Sequence, residues 1–181
     1  MISLALSTNS THDGDHPKNE EKKNRGLLVR MTMNGDITFS SASISFHVQA
    51  TEDRDRILKT LSENLQLNDE PSEEAVVRGH FGNEIRRIAF HLLGESARRF
   101  ADLLFRSLSK ADVRSLSLEI DKFTDDHGSF YIRLDKQLLL EGRLSISQTE
   151  AVRVKLKPQY GYKPRDMISC YCKFLDNRIQ E

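Results

Sequence analysis

The chain lacks tryptophan altogether and is poor in proline (4), cysteine (2) and aromatic residues (7%). Cys170 and Cys172 stand two positions apart, which excludes a disulfide framework and makes a reducing, intracellular compartment the expected setting. No apolar run approaches the ~18 residues that span a bilayer, the longest being short clusters such as Leu138-Leu139-Leu140. Residues 1–7 are mildly apolar but have neither a basic flank nor a small-residue cleavage site, so no secretory signal is expected. An excess of one charge is missing too, because 27 Lys and Arg balance 27 Asp and Glu. Bulk electrostatics therefore draws the protein to neither polyanion nor membrane, and any such partner must be met by a local patch. Walker loop, nucleophile elbow and metal-ligand spacing are absent, which argues against the chemistries those motifs serve. The expectation is a soluble, cytoplasmic protein of one compact domain plus a tail, with no membrane partner, cofactor or metal.

Residues 1–25 are Ser, Thr, Asn, Asp, His, Lys and Glu with almost no apolar content after Leu6, too little to offset the entropy of ordering, so this segment is expected to be disordered. Around Asn34-Gly35, the strongest two-residue turn signal, Leu27, Val29, Met31, Met33, Ile37 and Phe39 alternate with other residues. A hairpin and a disordered arm both fit, and Met31 and Met33 are alternative starts. Residues 1–40 are read as an extension and residues 41–181 as the domain.

Within the domain, Ile44, Phe46 and Val48 alternate with Ser45, His47 and Gln49, the period of a half-buried strand. Thr51 is the expected cap of an acidic first turn, and Ile57, Leu58, Leu61 and Leu65 fall on one helical face. Residues 75–78 and 85–93 read as strands joined by the turn Gly79-His80-Phe81-Gly82-Asn83. Phe100, Leu103, Leu104 and Leu108 mark one amphipathic helix, and Ser109-x-x-Asp112 opens another. Phe130, Ile132 and Leu134 predict a strand after Asp126-His127-Gly128, Leu144 and Ile146 a further one, and Val152, Val154 and Leu156 the next. Pro164 opens a closing helix that carries Met167, Ile168, Tyr171 and Leu175. Strands mostly short, alternating and without crossover helices predict an α+β fold: two layers, a mainly antiparallel sheet with helices on one face and the other face left to water or a partner.

The charge is local. Residues 152–165 contain Arg153, Lys155, Lys157, Lys163 and Arg165 and no acid. Alternation with Val152, Val154 and Leu156 makes Arg153, Lys155 and Lys157 project from the face opposite the core, spaced about 6–7 Å apart, close to a nucleic-acid phosphate repeat. Tyr160 and Tyr162 follow, and exposed tyrosines beside cations suit base stacking on single-stranded RNA. A solvated edge strand blunted by lysines has the same pattern. Arg78, Arg86 and Arg87 flank the glycine turn, where backbone N–H groups and guanidinium forks could hold a phosphate, although a plain hairpin turn is the first reading of these residues. Arg98 and Arg99 read as solvated helix charges. His80 has no evident catalytic partner, His47 and His91 read as sheet histidines, and Asp121, Asp125 and Asp126 fall where Asp serves the backbone. Cys170 and Cys172 point apart on a helix and do not suit one metal.

Together, Gly79-His80-Phe81-Gly82-Asn83-Glu84-Ile85, Gly128-Ser129-Phe130-Tyr131-Ile132-Arg133-Leu134-Asp135-Lys136-Gln137 and Val152-Arg153-Val154-Lys155-Leu156 before a terminal helix resemble the archaeal RNA-binding family described as a predicted exosome subunit. The likeness runs over residues 42–175. It implies a fold similar to the ribosomal protein that binds 5S rRNA, an archaeal cytoplasmic setting and RNA binding. Two departures stand out: Glu84 replaces the proline usual after the turn, and the polar N-terminus lies outside the pattern.

The expected function is a non-catalytic RNA-binding protein, an accessory factor in RNA processing or degradation with exosome or other processing subunits as partners. The alternative is a scaffold of such a complex that does not touch RNA. The expected RNA contacts are Arg153, Lys155, Lys157, Tyr160, Tyr162 and Lys163, extended by Arg133 and Lys136, with Arg78, His80, Asn83, Arg86 and Arg87 at the turn.

Overall fold

Strand β1 (Phe39–Gln49) is the axis of the fold. Its period of two buries Ala42, Ile44, Phe46 and Val48 and sets Ser41, Ser43, Ser45, His47 and Gln49 on the opposite face. The computed structural model describes residues 37–68, 70–149, 151–159 and 164–180. Within it β1 pairs antiparallel with β3 (Glu84–Leu93) on one side and β5 (Ala151–Pro158) on the other. Outside these lie β2 (Glu73–Arg78) and β4 (Phe130–Asp135), giving the order β2-β3-β1-β5-β4 with every pairing antiparallel. The fold is α+β, as the alternating strands predict.

Helices cover the apolar face. α1 (Arg54–Leu65) turns Ile57, Leu58, Leu61 and Leu65 inward, and its cap is Asp53, whose carboxylate accepts from the Arg56 N–H at 3.1 Å, rather than Thr51. α2 (Gly94–Ser107) and α3 (Lys110–Leu118) follow, the latter capped by Ser109 as its sequence predicts, and a 3-10 turn (Ile120–Phe123) leads toward β4. α5 (Pro164–Gln180) closes the layer, with Met167, Tyr171 and Leu175 buried and Ile168 turned outward. Phe39, Phe105, Phe130, Phe174 and Tyr171 pack ring on ring, and the Tyr171 hydroxyl donates to the Gly128 carbonyl at 2.8 Å. Gly128 has φ +76°, and a Cβ there would lie 2.8 Å from Met167 Cγ, so that turn requires glycine.

Three expectations change. Leu144 and Ile146 form no strand; Ile146 makes a single bridge to Leu134. A short helix, α4 (Lys136–Leu140), capped by Asp135, lies where none was expected. Lys136 therefore belongs to the covered side: it is in phase with Phe130, Ile132 and Leu134 and is only 3% exposed. Its ammonium donates to both Glu52 oxygens (2.7 and 2.6 Å) and to the His47 carbonyl (2.8 Å), tying α4 to the end of β1. The hairpin expected around Asn34-Gly35 lies outside the described residues, while β1 itself starts at Phe39 with Ile37 and Phe39 buried.

Burial pushes the Glu52 carboxyl up, but the hydrogen bond from Lys136, the Gln49 N–H and the ammonium charge outweigh it and hold the group below its ordinary value. Such a carboxylate contributes stability above its unfolded-state pKa and loses it as pH falls through the folded one. Glu52→Gln strands a buried ammonium and is expected to cost about 2–4 kcal/mol in urea unfolding near neutral pH. Lys136→Met, which leaves a carboxylate able to reach water, should cost less, and an equal or greater loss would contradict this account.

Candidate nucleic-acid interface

The face of the sheet away from the helices is built by the odd-numbered residues of each strand. On β1 these are Ser41, Ser43 and Ser45, then His47 and Gln49. Ser41, Ser43 and Ser45 lie opposite Lys157, Lys155 and Arg153 of β5, and on the other side His47 lies opposite Arg87 of β3. Beyond β5, Arg133 of β4 lies opposite Arg153 and Tyr131 opposite Lys155. A stripe of three small hydroxyl side chains is thus flanked by cations. Neither β1 nor β5 puts a carboxylate on this face. Arg153, Lys155 and Lys157 share it, with Val152, Val154 and Leu156 buried beneath, as the alternation predicts.

The cations differ in what holds them. Lys155 sits 4.7 Å over the Tyr131 ring and 3.7 Å from Asp125, whose other contacts are the Tyr131 hydroxyl (2.8 Å) and the N–H groups of Ser129 and His127 (2.8 and 3.0 Å). Burial raises the Asp125 carboxyl, but these donors, led by Ser129 N–H, more than reverse it, so Asp125 titrates below its ordinary value; Tyr131 and Asp125 raise Lys155. Lys155 is therefore a braced charge. Arg133, Arg153, Lys157 and Arg87 form no ion pair among the described residues. Burial lowers the pKa of His47, and the charges of Arg153, Arg87 and Lys136 lower it further.

The glycine turn takes the plain hairpin form, the first of its two sequence readings. Arg87 faces the open side and Arg86 the helix side, where it meets Glu74 (3.3 Å) and Glu84 (3.9 Å), so adjacent positions on one strand keep the two guanidinium groups apart. Arg78 shares the Arg86 side. The N–H groups of Gly79 and Gly82 are spent inside the turn, on the carbonyls of Asn83 (2.8 Å) and Gly79 (3.0 Å). The Asn83 amide fills the space a side chain at residue 79 would need, and the His80 ring packs edge-on against Phe81, which is 92% exposed. This turn is a hairpin tip whose two glycine N–H groups are already engaged.

Tyr160, Tyr162 and Lys163 lie outside the described residues. Sequence reasoning passed over the serine stripe and the bracing Asp125. The stripe was legible, since Ser41, Ser43 and Ser45 share the parity of His47. Among the described residues, no three His, Cys, Asp or Glu side chains are grouped to hold a metal, and no helix is long and apolar enough to cross a membrane.

Comparison with known proteins meets this geometry. The RNA-binding protein PAB1135 of Pyrococcus abyssi is 31% identical over 133 residues, 69% of this chain and 86% of that protein. A solved DUF54 protein of Methanothermobacter thermautotrophicus is 25% identical with a TM-score of 0.63, over 77% of this chain and 99% of that one. A second DUF54 protein, from Sulfolobus solfataricus, shares the fold at 20% identity and a TM-score of 0.63, over 76% of this chain and 98% of that one. The family described as RNA binding is matched over residues 41–158, a span that takes in β1 from Ser41 and the other four strands whole, and the chain belongs to that family.

Proposed function

We propose that the protein binds RNA through the open face of its sheet and does not cleave it. The observation that carries this reading is the serine stripe of β1 set between Arg87 on β3 and Arg153, Lys155 and Lys157 on β5, with no carboxylate on the face of either β1 or β5. Cations on alternate residues can follow a phosphate backbone, and the hydroxyls between them can exchange hydrogen bonds with phosphate and 2′-OH oxygens. Tyr160, Tyr162 and Lys163, which follow β5 in the chain, extend the proposed contact toward unstacked bases. The names of the family and of its relatives support the same partner. The finer role proposed is that of a cytoplasmic accessory factor in RNA processing or degradation, working with exosome or similar subunits.

One feature favours a protein contact in addition. Phe81 at the β2–β3 tip is exposed, and Val76 and Val77 of the edge strand β2 (51% and 45% exposed) present apolar side chains on its two faces. A scaffold that never touches RNA would use this tip alone.

Neutralising about three to five phosphates gives log K for single-stranded RNA a slope of roughly −2 to −3.5 against log salt. Arg153→Glu with Lys157→Glu should weaken binding strongly and make the slope shallower by at least about 1.4. RNA affinity unchanged in that double variant would remove the proposed face, and no RNA binding in the parent would favour the scaffold.

Labelled RNA incubated with the protein, with or without Mg²⁺ or Mn²⁺, is expected to stay intact. Carboxylates at or beside this face are already committed, Asp125 to Tyr131 and Lys155, Glu73 to His91, Glu119 to Lys122 and Glu52 to Lys136, and among the described residues His80 meets an aromatic edge. Cleavage that vanishes in His80→Ala would overturn this.

A further inference from the structure

The edge strand β4 borders a cavity of about 670 Å³, within the ~300–1,000 Å³ range of small-molecule sites. Arg133 and Arg153 line it as direct cross-strand partners on the open face. Like charges so placed repel, and among the described residues neither guanidinium has a carboxylate to relieve it. Among the described residues the one acid on the rim is Glu119, which is held by Lys122 at 2.7 Å. Two planar forks lining one opening suit a single phosphoryl group.

The rest of the cavity suits what such a group carries. Phe123 and Ile132 supply apolar wall, and Gln148 supplies an amide with both donor and acceptor. The outer edge of β4 is closed at its two ends: Asp125 N–H donates to the Ser129 carbonyl (3.0 Å), and Ser147 N–H donates to the Arg133 carbonyl (2.9 Å). Between these closures the C=O of Tyr131 and the N–H of Arg133 point away from β5 and have no partner among the described residues. Donor and acceptor side by side on a rigid strand, next to an aromatic wall, are what the edge of a nucleobase pairs with.

We infer that this cavity holds one nucleotide of the bound RNA, its phosphate between Arg133 and Arg153 and its base between Phe123 and the open stretch of β4. This deepens the reading of the sheet face as an RNA surface and rests on it. The nucleotide is either a phosphorylated chain end or an internal residue swung out of the strand, and both present the same nucleoside monophosphate.

The test is a titration of the full chain, followed by the amide signals of Tyr131 and Gln148, with AMP, UMP, adenosine and inorganic phosphate. Nucleoside monophosphate should saturate the site and bind at least about tenfold more tightly than phosphate or nucleoside alone. Arg133→Gln and Arg153→Gln should each weaken it about tenfold or more, and Gln148→Ala should weaken the nucleotide while leaving inorganic phosphate unchanged. Competition by 5′-phosphorylated, 3′-phosphorylated, unphosphorylated and circular RNA separates the sources: circular RNA that displaces UMP assigns an internal nucleotide, and displacement by phosphorylated ends alone assigns a terminus. Phosphate binding as tightly as UMP reduces the site to an anion seat and overturns the inference. RNA bound normally with no saturable mononucleotide overturns it while leaving the sheet face standing, and mononucleotide bound without any RNA affinity overturns the RNA reading on which it depends.

Discussion

Strand β1 must satisfy two demands at once: hydrogen bonding to a neighbour on each edge, and opposite environments on its two faces. Only alternating side chains meet both, because successive residues of a strand point to opposite sides. Ala42, Ile44, Phe46 and Val48 meet the first environment by burial beneath the helices. The residues between them are left with water, and the sequence fills three of those places with serine. Short hydroxyl side chains give a flat track, and the longer cations of β3 and β5 rise on either side of it. The pattern that closes the core and the pattern that shapes the open face are therefore one pattern, read from its two sides.

A protein with balanced charge keeps a basic face by sorting its acids by location. On the helix side and at the edges, cations have carboxylates: Arg54 and Arg86 meet Glu74, Lys136 meets Glu52, and Arg178 meets Asp102. On the open face Arg87, Arg133, Arg153 and Lys157 have none among the described residues. A net charge of zero is therefore compatible with a basic face, and composition alone says little about a local patch.

Alternation and cap chemistry made much of the fold legible: the strands around β1, the Ser109 cap and the outward set Arg153, Lys155 and Lys157 follow from neighbours a few residues away. What could not be read is what depends on distant partners. Lys136 looks like a continuation of a basic strand, and only its parity with Phe130, Ile132 and Leu134 hints that it turns inward. Its reason for doing so, Glu52, arrives from the other end of the domain. The bracing of Lys155 by Asp125 is equally non-local. At the turn, the sequence grouped Arg86 with Arg87 because they are adjacent, and strand geometry separates them for the same reason. The cavity beside β4 is assembled from four separate segments and has no local signature at all.

The strand order also sets a timetable. Ser43 of β1 meets His91 of β3 across 48 positions, whereas Ser40 meets Pro158 at the end of β5 across 118. During synthesis, the half-sheet β1–β3 with its covering helix emerges complete while the second edge of β1 is still waiting. For that interval the central strand of the finished protein is an edge strand, with its backbone groups and the apolar flank of Ile44 and Phe46 incompletely covered. The chain closes late, when a C-terminal segment returns to a strand near its beginning, a topology that favours slow folding and makes β5 the element that ends the vulnerable period.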